Sequence, residues 1–220
     1  MRIFPVIIST VAFAQQALAH YRFLGLNGSG DFTYIRPWLG NTNAPVTDVL
    51  STAIRCNTGA ALTTGTLTVA AGSIVTFRVD PAITHPGPLL WYLAKAPSSV
   101  NGWDATGKVW FKFAQTGAGG TGSSLTWPTL GLTTVSARLP PSLRAGEYLL
   151  RVEHIGYTHT TSNSDEHYIS CAQLRVTGGG TGNPGPLVAF PGAYPTGPTI
   201  PWDPPAGYVY TPPGPPVWQG

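Results

Sequence analysis

No stretch of this 220-residue chain carries a long 3.6-residue apolar period, and its apolar runs are short. A helical core is therefore excluded. The runs alternate with period two and are separated by Gly, Pro, Asn and Asp. Leu67 to Val79 holds two of them, turning at Ala71-Gly72-Ser73, with Val75, Phe77 and Val79 on one face. Val109, Phe111 and Phe113 alternate with Lys108, Trp110 and Lys112. Val135, Ala137 and Leu139 form another face, ended by Pro140-Pro141. Tyr148, Leu150 and Val152 alternate with Glu147, Leu149 and Arg151, and Tyr168 to Val176 is the last clear strand. Leu89 to Leu93 is continuous, which reads as a strand buried on both faces or partly functional. Many short strands with regular turns predict an all-β fold, an immunoglobulin-like antiparallel β-sandwich with long loops.

The chain opens with a short basic start, Met1-Arg2, then an almost wholly apolar run from Ile3 to Ala14, then Ala17-Leu18-Ala19. This is the pattern of a secretory signal peptide with an A-x-A cleavage site. It predicts a signal peptide over 1–19, a single β-sandwich domain over 20–220, and a secreted, extracellular protein. A cut after Ala19 makes His20 the first residue. Any residue can follow such a cut, but histidine there combines a free α-amine, pKa ~7.7–8.0, with an imidazole, pKa ~6.5. One residue can then chelate a metal through two nitrogens, and a second histidine completes a planar three-nitrogen set that suits Cu(II).

Without Arg2 the side chains carry 11 basic and 9 acidic groups, a net +2, with no Lys/Arg cluster. That excludes a nucleic-acid-binding surface. Only 10% of residues are charged, so the surface is neutral and rich in hydroxyls, suited to an uncharged partner. No apolar run outside the leader is long enough to span a bilayer. The two cysteines, Cys56 and Cys171, most simply form one disulfide in an oxidising compartment. Closing so long a loop is worth about 4–5 kcal/mol in the chain-entropy picture. Asn27-Gly28-Ser29 is an N-glycosylation sequon. From Gly178 onward, 22 of 43 residues are Gly or Pro, yet Phe190, Tyr194, Trp202, Tyr208, Tyr210 and Trp218 also lie there. Linkers are poor in aromatics. Residues 178–220 are therefore read as an extended Pro/Gly-rich wrap on the sandwich rather than a loose tail.

Among the five histidines, His85 sits on the rigid turn Thr84-His85-Pro86-Gly87-Pro88, where a ligand is preorganised. An exposed turn histidine is the plainer alternative. His154 shares the parity of Tyr148, Leu150 and Val152, which places it in the core or against the second sheet. His159 and His167 flank the polar stretch Thr160–Asp165, read as a surface loop.

Several separated blocks resemble fungal lytic polysaccharide monooxygenases of auxiliary activity family 9. They are His20-Tyr21-Arg22-Phe23, Ala44–Val49 with Ile54-Arg55-Cys56, His85–Ala94, Gly146–Ile155, Tyr168–Gln173, and Tyr210–Pro215 with Val217-Trp218. The resemblance implies one copper ion held by the amine and ring of His20 and the ring of His85, with Tyr168 at a long axial position. It implies an external electron donor and O2 or H2O2 as co-substrate. Its implied substrate is insoluble polysaccharide, cellulose or a hemicellulose, and its implied state is a monomer. The family usually has a histidine four residues after the position of His154; Thr158 stands there, and His159 follows by one residue. Where the family usually has glutamine, two residues before the axial tyrosine, this chain has Glu166, whose charge favours Cu(II) over Cu(I). His159 and Glu166 are therefore expected to tune the oxygen chemistry. Tyr21, Tyr194, Tyr208 and Tyr210 are the candidates for a flat face that stacks on sugar rings, Tyr210 by resemblance. A non-catalytic copper- or polysaccharide-binding sandwich is the alternative function. A hydrolase is disfavoured, because glycosidases need two facing carboxylates and Asp165-Glu166 are chain neighbours.

Overall fold

In the computed structural model, residues 19–158, 165–194, 196, 200–201 and 203–220 are described. The expectations about the leader, His159, the following polar loop to residue 164 and Trp202 lie outside these residues. Eight strands and one short helix form among the described residues: β1 Arg22–Leu26, α1 Ala53–Cys56, β2 Leu67–Ala70, β3 Ile74–Asp80, β4 Leu89–Lys95, β5 Trp110–Thr116, β6 Thr134–Arg138, β7 Gly146–Gly156 and β8 Glu166–Thr177. They make two sheets, β1-β3-β6 and β2-β8-β7-β4-β5. The fold is an all-β sandwich, as the alternation predicts. Neighbouring strands run antiparallel except β2, which lies parallel to β8. That pairing, like the one-turn helix α1, is a departure from the sequence reading. β2 has only four residues and no pattern that fixes a direction.

Alternation explains the inner core. Val75, Phe77 and Val79 of β3 and Val135 and Ala137 of β6 face Trp91, Leu93, Leu150, Val152 and Leu174 of the larger sheet. The larger sheet is also covered outside, where Leu90, Tyr92, Ala94, Leu149, Ile169 and Cys171 form a second cluster with Ile54, Phe190 and Tyr194. β4 is accordingly buried along Leu89–Ala94, which settles its continuous apolar run as a strand with no wet face.

Two segments supply the outer cover. One carries Val46 and α1, and the Cys56–Cys171 disulfide ties it to β8 with Cα atoms 5.3 Å apart. The other is the Pro/Gly-rich C-terminal segment, which does wrap the sheet. Val188 bridges Trp110. Trp218 N donates to Lys112 O, and the Trp218 ring meets Phe111 edge-on at 5.4 Å. Lys112 is covered by this wrap and donates to Pro213 O at 2.7 Å and Gln115 Oε1 at 2.9 Å. Burial brings its ammonium down to about 8 against the pull of Glu153. Asn27 stands exposed at the β1 turn, its Oδ1 accepting from Thr76 N at 2.8 Å.

The outer face of β7 brings Arg151 and Glu153 beneath that cover, both without solvent contact. Arg151 donates to Glu153 Oε2 at 2.6 Å and to the carbonyls of Arg55 and Ile54, and its guanidinium lies 4.0 Å from the Phe190 ring centre. His167 Nδ1 lies 2.8 Å from Glu153 Oε1, and Tyr194 Oη donates to Glu153 Oε2. Burial alone pushes the Glu153 carboxyl up, but Arg151 and His167 outweigh it and hold it down at about 2. His167, read as lying beside a surface loop, is instead buried as a member of this network. Breaking a buried pair leaves an uncompensated charge. Glu153→Gln is therefore expected to cost about 3 kcal/mol at pH 7, seen as a drop of roughly 6–12 °C in thermal midpoint. A carboxyl held down on folding stabilises above its unfolded value and loses that contribution as the pH falls through the folded one. The gap between wild type and variant should thus be full above about pH 4.3 and narrow toward pH 2.

Candidate metal centre

Three rings from three parts of the chain meet at one end of the sandwich. His20 lies two residues before the start of β1, His85 sits on the turn before β4, and Tyr168 is the third residue of β8. Their centroids are 6.4 Å apart for His20–His85, 6.2 Å for His20–Tyr168 and 6.0 Å for His85–Tyr168. His20 is half-buried, so the cluster opens to the surface, and Asn43 Nδ2 donates to its carbonyl at 3.1 Å.

His85 is fixed by the way its turn meets β7. Tyr157 N donates to Pro86 O at 2.8 Å, and Ile155 N to Pro88 O at 3.1 Å. A Cβ on Gly87, whose φ is +154°, would stand 1.8 Å from the Ile155 carbonyl oxygen. Only glycine lets the turn approach so closely. Gly156 does the same on the other side, where a Cβ would meet the Tyr168 ring at 3.0 Å and His85 Cβ at 3.2 Å.

Tyr21 anchors the start of β1. It is 1% exposed, its ring stacks on Tyr168 at 3.9 Å, and its hydroxyl lies 2.5 Å from His154 Nδ1. Burial lowers His154 to about 3, so its ring is neutral and its Nδ1 accepts the tyrosine proton. Tyr168 donates to Glu166 Oε2 at 2.6 Å. Burial, then this bond and the Glu166 charge, raise the phenol far above its ordinary value, so Tyr168 keeps its proton. The same carboxylate oxygen lies 3.4 Å from His85 Nε2. Burial lowers the His85 ring pKa, and Glu166 offsets part of that shift.

The residues fit a metal. His85 Nε2 is buried and makes no hydrogen bond, which leaves a ring nitrogen aimed at the cluster with its lone pair unused. No group of three or more His, Cys, Asp or Glu among the described residues could hold a metal by side chains alone. Among the described residues, the main-chain nitrogen of His20 is the candidate for a third nitrogen; in the full chain it is an amide joined to Ala19. Thr84 Oγ1 donates to the Ala19 carbonyl, so the backbone of the expected cleavage point lies beside His85.

The sequence reading thus brings His20, His85, Tyr168 and Glu166 together, while His159 falls outside the described residues. Three of the four surface tyrosines are corrected. Tyr21 is an anchor inside the fold. Tyr194 is 9% exposed, stacked on His167 and bonded to Glu153. Tyr210 is 6% exposed, with Trp127 packed against it at 5.1 Å. Only Tyr208 remains half-exposed. The roles of His154 and Gly156 were not read from the sequence. For Tyr21 a signal existed, because it shares the parity of Phe23.

The sequence profile of Auxiliary Activity family 9 (formerly GH61) matches residues 12–204. An AA9 family lytic polysaccharide monooxygenase H of Malbranchea cinnamomea is 51% identical, with 96% of each chain covered. An AA9 family lytic polysaccharide monooxygenase C of Emericella nidulans is 47% identical, with 98% of each covered. The crystal structure of HiLPMO9B is similar at a TM-score of 0.75 and 31% identity, covering 91% of this chain and all of that one. A cellulose-active polysaccharide monooxygenase from M. thermophila gives 0.73 and 28%, covering 92% and 98%.

Removing the Tyr21 hydroxyl would leave His154 Nδ1 buried and unpaired. Tyr21→Phe is expected to cost about 1–3 kcal/mol of stability, read by denaturant unfolding. It should also weaken copper binding, read by isothermal calorimetry, because His20 loses its neighbour's anchor.

Proposed function

The chain belongs to Auxiliary Activity family 9 and is a lytic polysaccharide monooxygenase, an oxidoreductase that cleaves polysaccharide oxidatively, and on that premise we propose that it is a secreted, copper-dependent enzyme acting on cellulose chains. The observation that carries this reading is the pair of imidazoles, His20 and His85, set around Tyr168 with the His85 Nε2 lone pair buried and unused. Once the chain is cut after Ala19, His20 offers its amine and a ring nitrogen, and His85 a second ring nitrogen. Three neutral nitrogens at one surface suit copper. Bound there, copper supplies the one-electron chemistry by which O2 or H2O2, with an external electron donor, oxidises a sugar C–H bond.

The chain's own residues do the rest. Tyr168 keeps its proton on Oη, hydrogen-bonded to Glu166, and so would face a bound metal as a neutral phenol rather than a phenolate. Gly87 and Gly156 let the His85 turn and the Tyr168 ring close up, which holds the imidazole in one pose. Tyr21, bonded to neutral His154, fixes the backbone that leads to His20. Glu166 brings a negative charge within 3.4 Å of His85, which favours the more highly charged copper ion. Tyr208 is the member of the tyrosine set left to stack on a flat sugar surface. A neutral, hydroxyl-rich exterior suits an uncharged, insoluble glucan. The protein is proposed to act as a monomer, with Asn27 available for a glycan at its exposed turn.

Copper-loaded protein starting at His20, incubated with amorphous cellulose and ascorbate, should yield oxidised cello-oligosaccharides by mass spectrometry. A control with one extra residue before His20 should yield none and should bind copper at least about 100-fold more weakly. Absence of products from both, on cellulose and on a hemicellulose panel, would favour the non-catalytic binding protein. Glu166→Gln should raise the copper reduction potential and quicken turnover; unchanged values for both would remove the role given to that carboxylate.

A further inference from the structure

A cleft of about 170 Å³ opens in the outer cover, beside α1 and the Cys56 end of the disulfide. Its charged walls are Arg36, Arg55 and Asp104, two cations against one anion. Arg36 is 1% exposed, and a buried charge is ordinarily paired. Here its bonded acceptors are neutral: Nε donates to Gln173 Oε1 at 3.0 Å and Nη2 to Val100 O at 2.8 Å. Arg55 donates from Nε to Phe190 O at 2.9 Å, and from Nη1 to Asp104, at 3.2 Å to the carbonyl and 3.4 Å to Oδ2. Nη1 of Arg36 and Nη2 of Arg55 thus have no hydrogen-bond acceptor among the described residues. Asp104 does not neutralise the buried guanidinium. It is exposed, and besides Arg55 its two oxygens accept from Thr106, from the amide at 3.1 Å and from the hydroxyl at 2.6 Å. Burial accordingly brings Arg36 down to about 10, with the more distant Asp104 charge opposing that shift.

The size and chemistry select the ligand. Guanidinium groups with an arm to spare match the oxygens of carboxylate and phosphate. The cleft is smaller than the roughly 300 Å³ at which pockets for drug-sized molecules begin, so it suits a small ion rather than an oligosaccharide. We propose that this cleft binds a small oxyanion, carboxylate or phosphate, held between the guanidinium groups of Arg36 and Arg55. Such an ion supplies the counter-charge that Arg36 lacks. It also joins two parts of the cover. Arg36 N donates to Cys171 O of β8 at 2.8 Å, whereas Arg55 belongs to α1. The bound ion therefore braces α1 against β8 alongside the disulfide, and its occupancy raises the stability of the fold.

The test titrates copper-loaded protein starting at His20 by calorimetry, once with inorganic phosphate and once with acetate, at an ionic strength held constant with chloride. At least one of the two should bind saturably with a Kd of about 1 mM or tighter, and the better binder tells which oxyanion the cleft prefers. Two variants with opposite expected signs assign the heat to the cleft. Arg36→Gln should weaken binding about ten-fold or more, and Asp104→Asn, which removes the competing carboxylate from an exposed position, should tighten it about three-fold. Thermal midpoints show whether each variant folds, and if Arg36→Gln does not, Asp104→Asn decides alone. No saturable heat from either anion overturns the proposal. So does heat that Asp104→Asn leaves unchanged, which would place the anion elsewhere, at the copper included.

Discussion

The five-stranded sheet has no face left for water, and most of the architecture answers that constraint. Its inner face packs on the three-stranded sheet, and its outer face needs cover that no further sheet provides. The cover is irregular chain. Irregular chain must satisfy its own backbone polar groups and those it encloses. The Arg151–Glu153 pair shows how this is done: the guanidinium bonds the carbonyls of Arg55 and Ile54, and the carboxylate takes Tyr194 from the wrap and His167 from β8. One buried ion pair thereby fastens three segments to one strand. The disulfide adds a covalent tie between the first cover segment and β8.

The proposed metal centre depends on that frame, because the proposed cut after Ala19 would put its key residue at a chain end. A chain end keeps its freedom unless something nearby is locked. Tyr21 supplies the lock. It stacks on Tyr168, which belongs to the twelve-residue strand β8, and bonds His154 on β7, the two strands paired along their full length. His85 is placed by a turn that hydrogen-bonds onto the same β7 edge. Both imidazoles are thus referred to one rigid pair of strands, which is how ligands from distant parts of a sequence hold a common geometry.

Much of this was legible, and the failures have a common cause. Period-two alternation located β3, β6, β7 and β8, and the unbroken Leu89–Leu93 run announced a strand buried on both sides. The charge-poor, aromatic-bearing tail announced a wrap. The junction and the Pro-Gly-Pro turn pointed to His20 and His85, and the structure brings those rings within 6.4 Å. The misreadings were of residues whose burial comes from long-range cover. His167, Tyr194 and Tyr210 look solvent-facing in any local pattern, and only the folded-back wrap or the Val46 segment removes them from water. Direction was equally invisible for β2, since four residues beside β8 pair in either sense.

Glu166 poses the sharpest question about the site, because a carboxylate beside a metal-binding imidazole can work against it. By stabilising a protonated ring it would place a proton on the nitrogen a metal needs. Burial acts in the opposite direction, since taking the ring out of water disfavours its charged form. In His85 burial is the larger of the two, and the net shift is downward. The imidazole therefore stays neutral at neutral pH with its lone pair available. The carboxylate is also engaged elsewhere, accepting the Tyr168 proton at 2.6 Å while standing 3.4 Å from His85 without a hydrogen bond to it. Its charge remains a field felt by whatever occupies the centre, but its lone pairs are turned to the tyrosine. A site so arranged keeps the His85 imidazole ready for a metal and the Tyr168 phenol protonated, at the cost of one negative charge in the wall.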